Sequence, residues 1–147
     1  SLETEYSLAD RSAADAAIAA AAAPGGGVIG WAPLGRGVLT GKYLPGETPV
    51  QGTRAADPES NTFMRQLMNE EVLSAVNELR SVASDVDLSM SQLALVWILR
   101  QHNVSSAIIG ASRPEQVEDN AKAAGVRLSP DVVSEIDGIL KGVIQRG

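Results

Sequence analysis

Leu2, Thr4 and Tyr6 alternate with Glu3, Glu5 and Ser7, the period-two pattern of a short β-strand. Asp10 or Ser12 is placed to cap a helix that runs from Ala13 to Ala23 and is almost entirely alanine. Alanine favours helix strongly but supplies little side chain to pack. Pro24 and Gly25-Gly26-Gly27 stop it. Val28 to Ala32 reads as a short buried strand. Pro33 to Asn69 is a long connection rich in Gly, Pro, Thr and Arg, of a length that inside a compact domain marks function or disorder.

Helical periodicity takes over after Asn69, a natural N-cap. Val72, Val76, Leu79 and Ala83 fall on one face. Ser89-Met90-Ser91-Gln92 has the spacing of a capping box, and the helix it opens, Met90 to Arg100, is apolar nearly all round and so predicted to be well buried. Val104 to Ile109 is a third strand, ended by Gly110. Ser112-Arg113-Pro114-Glu115 opens a short helix with a second capping-box spacing. Ser129-Pro130 opens the last helix, with Ser as cap, Pro in the first turn and a core face of Val132 or Val133, Ile136, Ile139 and Leu140.

Strands alternating with helices predict an α/β protein with a parallel sheet and right-handed crossovers. Three buried parallel strands leave two open edges, and parallel sheets normally extend further or close. A (β/α)8 barrel takes ~250 residues, and these 147 residues suit its last three units. Hydrophobic residues at 44% and charged ones at 20% exclude a disordered chain. Twelve Lys and Arg against 18 Asp and Glu give a net charge of −6, which argues against nucleic acid as a partner. The absence of Cys and the single His exclude disulfides, thiolate chemistry and His-rich metal sites, so no metal is expected. No apolar run reaches the ~18 residues of a membrane span and no signal peptide is evident, so a cytoplasmic protein without a membrane partner is expected. A chain that opens on Ser1 suggests a processed protein or a piece of one.

Several motifs fail. Gly25 to Gly30 fits G-x-G-x-x-G by letter, but it follows a helix and precedes a strand, the reverse of the dinucleotide fingerprint. Gly37 to Tyr43 is one residue short of a P-loop and has Tyr43 where the magnesium-binding hydroxyl would stand. His102 lies in a polar stretch with no evident partner and reads as a surface residue. Asp10-Arg11 and Glu118-Asp119 read, on charge alone, as solvated.

Two segments carry more. Trp31 to Tyr43, with Gly52-Thr53-Arg54, and Ile108 to Asn120 each leave the C-terminal end of a strand. Barrel phosphate sites commonly use the last two such loops and a nearby helix N-terminus. Gly110 admits a close backbone approach, Ser112 and Arg113 offer donors, and the helix start attracts an anion. Lys42 and Arg54 could close over it. The plainer alternative is a capped helix beside a mobile basic loop.

The chain resembles the C-terminal part of an aldo-keto reductase, in the bacterial and potassium-channel-β-subunit-like branch. The likeness rests on Glu5-Tyr6-Ser7-Leu8 with Arg11, on W-A-P-L-G-R-G-V-L-T-G-K-Y, on G-T-R-A, on S-Q-L-A-L-V-W-I-L-R and on I-I-G-A-S-R-P-E-Q-V-E-D-N. It implies that residues 1–147 are the C-terminal portion of an NADP-dependent oxidoreductase domain, namely the last three units and terminal helix of a (β/α)8 TIM barrel. It implies roles too. Trp31 would stack on the nicotinamide, and Ala32, Pro33, Leu34 and Gly35 would run along the pyrophosphate. Lys42 and Arg54 would fold over the cofactor. Gly110, Ser112, Arg113 and Gln116 would hold the adenosine 2′-phosphate and its ribose, and Asp119 and Asn120 the adenine edge. Glu3 stands where the family usually has a Gln on the carboxamide. Ionised, it can only accept, and its charge would favour the oxidised ring.

The family's catalytic tetrad, Asp, Tyr, Lys and His, has no counterpart here, so no catalytic residue is assigned. The resemblance then implies NADP(H) as cofactor, a small-molecule carbonyl substrate in the complete protein, and the missing N-terminal barrel half as a partner. The leading expectation is a piece of an enzyme that reduces aldehydes and ketones to alcohols, inactive alone. A non-catalytic nucleotide-binding or regulatory subunit and a degenerate gene fragment are the alternatives.

Overall fold

The computed structural model describes residues 1–11, 14–23 and 25–143. Ser12, Ala13 and Pro24, assigned above to the first helix and its stop, lie outside the described residues. The elements are β1 (Leu2–Glu5), α1 (Ala14–Ala22), β2 (Val28–Trp31), α2 (Glu70–Asp85), α3 (Met90–Leu99), β3 (Val104–Ile108), α4 (Pro114–Ala121) and α5 (Pro130–Ile139).

The three strands form one sheet in the order β1-β2-β3, with both pairings parallel. Leu2 to Glu5 pair in register with Val28 to Trp31. Against β3 the register shifts between Val28 and Ile29, after which Ile29, Gly30 and Trp31 pair with Ser106, Ala107 and Ile108. Side chains alternate between faces, and only one face is covered. Val28, Val104 and the adjoining Tyr6 are buried on it. A Cβ on Gly30 would meet Tyr6 Cβ at 3.6 Å and Ile98 Cγ2 at 3.7 Å, so this face packs on α3. Glu3, Trp31, Ser106 and Ile108 are exposed. The expectation of buried strands therefore holds for one face only. The described helices supply no second layer, and Trp31 and Ile108 keep 36% and 49% of their surface in contact with solvent.

α3 is the buried helix its composition demands: Met90 and every residue from Gln92 to Ile98 are buried. Ser89 accepts from the Gln92 amide at 3.2 Å and Gln92 Oε1 accepts from the Ser89 amide at 3.0 Å, the reciprocal capping box. Asn69 Oδ1 accepts from the Val72 amide at 3.0 Å and starts α2, whose Val72, Val76, Leu79 and Ala83 are all buried. Ser129 caps α5 through the Val132 amide at 3.3 Å. There Ile136 and Leu140 are fully buried, while Val132, Val133 and Ile139 are half-buried. After α1, the amides of Gly25 and Gly26 bond back to Ala22 and Ala21, and Gly25 takes φ 74°. That is a helix stop, not a nucleotide loop.

Two expectations are corrected. Pro33 to Asn69 is not a loose loop. Val38, Leu39, Tyr43, Met64 and Leu67 are buried, with 3-10 turns at Gly35–Thr40, Arg54–Ala56 and Asn61–Met64. The Arg80 guanidinium donates to the Gly41 carbonyl, and the Glu70 carboxylate accepts from the Gly46 amide at 3.1 Å. Nor is Arg11 a solvated charge. It is 6% exposed, paired with Asp137 at 2.8 Å, and lies 4.1 Å from the centre of the Trp97 ring. Arg100 approaches that ring to 3.7 Å, so the fully buried indole carries two guanidiniums.

Ile98→Ala should lower unfolding free energy by about 2–5 kcal/mol, because it empties a fully buried site against Gly30. Val50→Ala, at 72% exposure, should shift it by under about 0.5 kcal/mol in the same urea titration.

Candidate functional site

A groove of about 910 Å³ opens beyond the C-terminal ends of β2 and β3. Trp31 and Ile108, the last residues of these strands, contribute to its wall, together with Ala32-Pro33-Leu34 on one side and Ile109 to Arg113 on the other. Lys42 and Gly52-Thr53-Arg54 reach it from the long connection, and Gln116, Asp119 and Asn120 from α4. Every candidate residue lines it except Glu3 and Gly35. Glu3 is exposed on β1, on the same uncovered face as Trp31 but two residues back from the strand end and outside the lining. Gly35 is buried behind the wall, where a Cβ would meet Leu39 and Leu67 at 3.3 Å.

The chain leaves β2 through a run of left-handed residues: Ala32 (φ 53°), Gly35 (φ 53°), Arg36 (φ 55°) and Gly37 (φ 102°). The Gly35 amide bonds to the Ala32 carbonyl and the Gly37 amide to that of Leu34, both at 2.9 Å. This reversal brings Arg36 back over the end of the sheet. Its Nη2 donates to Glu5 Oε1 at 3.2 Å, and its Cζ lies 5.7 Å from the Trp31 ring centre. Burial raises the Glu5 carboxyl above its ordinary range; Arg36 opposes the shift and Asp10 adds to it. Gly37 is left bare beside Lys42, whose Cε and Nζ would lie 3.2 and 3.3 Å from a Cβ placed there.

At the start of α4 the N-cap is Arg113, with Pro114 in the first turn. The expected box between Ser112 and Glu115 is replaced by one residue further along: Gln116 Oε1 accepts from the Ser112 amide at 2.8 Å, the Arg113 amide at 3.2 Å and Ser112 Oγ at 3.2 Å. The amide reaches both N–H groups, whereas the one-residue shift carries Glu115 round to the groove wall. Donors suited to an anion are thus held by the negative end of a carboxamide dipole.

Asp119 is not a solvated charge either. Its carboxylate accepts from Ser89 Oγ at 3.0 Å and from Gln92 Nε2 at 2.8 Å, and its carbonyl accepts from the same Gln92 nitrogen at 2.9 Å. It ties α4 to the capped end of α3, which leaves the buried Asn120 beside the groove. His102 is exposed, as expected.

Sequence reasoning passed over Arg36, Thr40 and Ser91 as lining residues. For Arg36 the signal was there: an arginine between two glycines marks a tight turn that delivers a cation. Arg36, Lys42, Arg54 and Arg113 face Glu115 and Asp119 around the groove, so it is locally cationic in a chain of net charge −6.

An α/β sheet with a cationic groove at its strand ends suits an anionic ligand. Comparison with known proteins is more specific. The Aldo/keto reductase family model matches residues 1–141. A probable voltage-gated potassium channel subunit beta of Oryza sativa subsp. japonica is 38% identical over 122 residues, 82% of this chain and 37% of that protein. A putative voltage-gated potassium channel subunit beta of Schizosaccharomyces pombe is 39% identical over 124 residues, 79% of this chain and 34% of that protein. L-glyceraldehyde 3-phosphate reductase of Escherichia coli O157:H7 is 33% identical over 114 residues, 77% of this chain and 33% of that protein. The chain belongs to the aldo/keto reductase family. It spans about a third of the length of these curated relatives.

Asp119→Ala should cost about 1–3 kcal/mol of stability, because one N–H of the buried Gln92 and the Ser89 hydroxyl lose their carboxylate acceptor while the bond to the Asp119 carbonyl remains. Glu118→Ala, one residue away and exposed, should cost under about 0.5 kcal/mol. Equal denaturation midpoints for the two variants would show that Asp119 has no share in the fold.

Proposed function

We propose that this chain forms the NADP(H)-binding part of an aldo-keto-reductase-type oxidoreductase that reduces aldehydes or ketones to alcohols. On this reading its three strands and their helices are the closing arc of a (β/α)8 barrel. The observation that carries it is the groove: the cationic side chains of two separate segments converge at the C-terminal ends of parallel strands, where barrel proteins build their sites. The exposed inner face with Trp31 and Ile108 is what an arc of barrel wall would leave open.

The residues present fit the cofactor. Trp31 offers a ring for the nicotinamide to stack on. Arg113, Ser112 and the start of α4 suit the 2′-phosphate, which brings about −1.5 to −2 charges near neutral pH. Entry of a phosphate there requires Gln116 Oε1 to release the amides of Ser112 and Arg113, a side-chain rotation at a half-buried residue. Lys42 and Arg54 add charge from the packed strap. The bound dinucleotide would supply the hydride. Proton delivery to a carbonyl oxygen needs a positioned acid, and on the family resemblance none of the four catalytic residues has a counterpart in these 147 residues. The chain by itself should therefore not consume NADPH in the presence of an aromatic aldehyde. Turnover above buffer that disappears on Trp31→Ala would overturn this.

A second reading, favoured by the names of two relatives, is a nucleotide-binding subunit of a larger assembly. It predicts cofactor binding without turnover even in a polypeptide with an intact tetrad.

Cofactor choice supplies the direct test. A charge-assisted bond from Arg113 to the 2′-phosphate is worth roughly 1.5–3 kcal/mol, about ten- to a hundredfold in affinity. Arg113→Ala should weaken NADPH by that factor and leave NADH unchanged, in titrations on the chain or on any longer polypeptide that contains it. Equal affinities for both cofactors before and after the substitution would remove the assignment.

A further inference from the structure

Arg36 is bound to a carboxylate and to the aromatic wall of the groove at once. Glu5 and Trp31 are register partners at the C-terminal ends of β1 and β2, so their side chains emerge next to each other on the uncovered face. The guanidinium spans them, 3.2 Å from Glu5 Oε1 and 5.7 Å from the Trp31 ring centre. The backbone there adopts the left-handed region that non-glycine residues avoid, between two glycines that also take positive φ. Strain of this kind, in a residue that lines a groove, marks a side chain whose direction matters. Arg36 lines the groove, and Glu5 lies outside the lining.

We infer that Arg36 sets the preference of the groove between the two redox forms of the dinucleotide, selecting the reduced, uncharged nicotinamide ring over the oxidised, cationic one. Glu5 is its positioning residue. The inference rests on the dinucleotide reading and adds to it a residue with a distinct duty. The two forms share their phosphates, riboses and adenine, so Lys42, Arg54 and Arg113 treat them alike. They differ in one positive charge on the ring. A planar ring on either face of the Trp31 indole stays within about one Debye length of the guanidinium at ~0.1 M salt, roughly 10 Å. Repulsion at that range, moderated by solvent and by Glu5, corresponds to a factor of about three to ten in affinity. Glu3 lies outside the lining, and it is unchanged in every variant below, so it cannot account for a difference among them.

The measurement is the ratio of the NADP+ and NADPH dissociation constants, obtained by equilibrium titration of the chain or of any longer polypeptide that contains it. The unsubstituted protein should bind NADPH more tightly. Arg36→Gln should reduce the ratio by about three- to tenfold, chiefly by improving NADP+. Arg36→Gly removes the charge and relaxes the left-handed backbone, so it guards against a folding defect and should give the same reduction. Arg36→Lys keeps the charge and should keep most of the ratio. If both dinucleotides bind and Arg36→Gln and Arg36→Gly leave the ratio where it was, or if Arg36→Lys changes it as Arg36→Gln does, the inference is wrong while the dinucleotide reading stands. If the unsubstituted protein binds neither dinucleotide, the reading falls and takes the inference with it.

Discussion

The site depends on the burial of one helix. α3 is apolar on every side, and its two ends do different work. At its C-terminal end Ile98 lies against Gly30, and Trp97 meets the Tyr6 ring at 5.5 Å, so the sheet is pressed onto the helix at the middle of β2. At its N-terminal end the capping box of Ser89 and Gln92 is also the anchor for Asp119, and through it for α4. The strand that ends in Trp31 and the helix that begins at Arg113 are thereby fixed to the same rigid rod. A groove whose walls come from distant segments needs such a common reference, since loops alone hold geometry loosely.

The same rod explains how the long connection can carry site residues. Lys42 and Arg54 sit on irregular backbone, and irregular backbone moves unless something ties it down. Here Tyr43, next to Lys42, is buried, and its hydroxyl accepts from the amide of Ala55, next to Arg54, at 3.4 Å. Arg80 on α2 holds the Gly41 carbonyl from the other side. The cations are exposed while their neighbours are locked, which leaves side-chain freedom without backbone freedom. A charged ligand can be followed by the tips at little entropic cost beyond the side chains themselves.

The order and type of the strands and α-helices were legible in the sequence, because caps, stops and apolar periods agreed: Asn69, Ser89 and Ser129 each do what their positions implied. What was not legible follows from contacts that periodicity does not encode. Arg11 looked solvated because its partners, Asp137 and Trp97, are remote in sequence. Asp119 was visible as a site residue only through family resemblance, which could not reveal that its carboxylate serves α3. The capping box at α4 failed by one residue, because Gln116 and Glu115 both satisfy the letter pattern and only geometry selects between them. Of the site, the residue types and the two segments were readable. The turn that directs Arg36 was not, since positive φ at a non-glycine residue leaves no composition signal beyond its flanking glycines.

Left-handed backbone concentrates where β2 gives way to the groove wall. Ala32 and Arg36 both carry a Cβ in a region where it crowds the following carbonyl, at a cost of roughly 1–2 kcal/mol each. A fold that needed only to connect β2 to the strap would relieve both with glycine, as it does at Gly35, Gly37 and Gly41. Retaining a methyl at one position and a guanidinium at the other makes sense if the side chains serve the groove. Ala32 and Arg36 both line it, and Arg36 is held there by Glu5. Glu5 adds a cost of its own: burial raises its carboxyl, and Arg36 opposes that shift. Strain and desolvation thus meet at the same few residues that the exposed face of Trp31 leaves open to a ligand, and the compact packing of α3 beneath them supplies the stability that tolerates both.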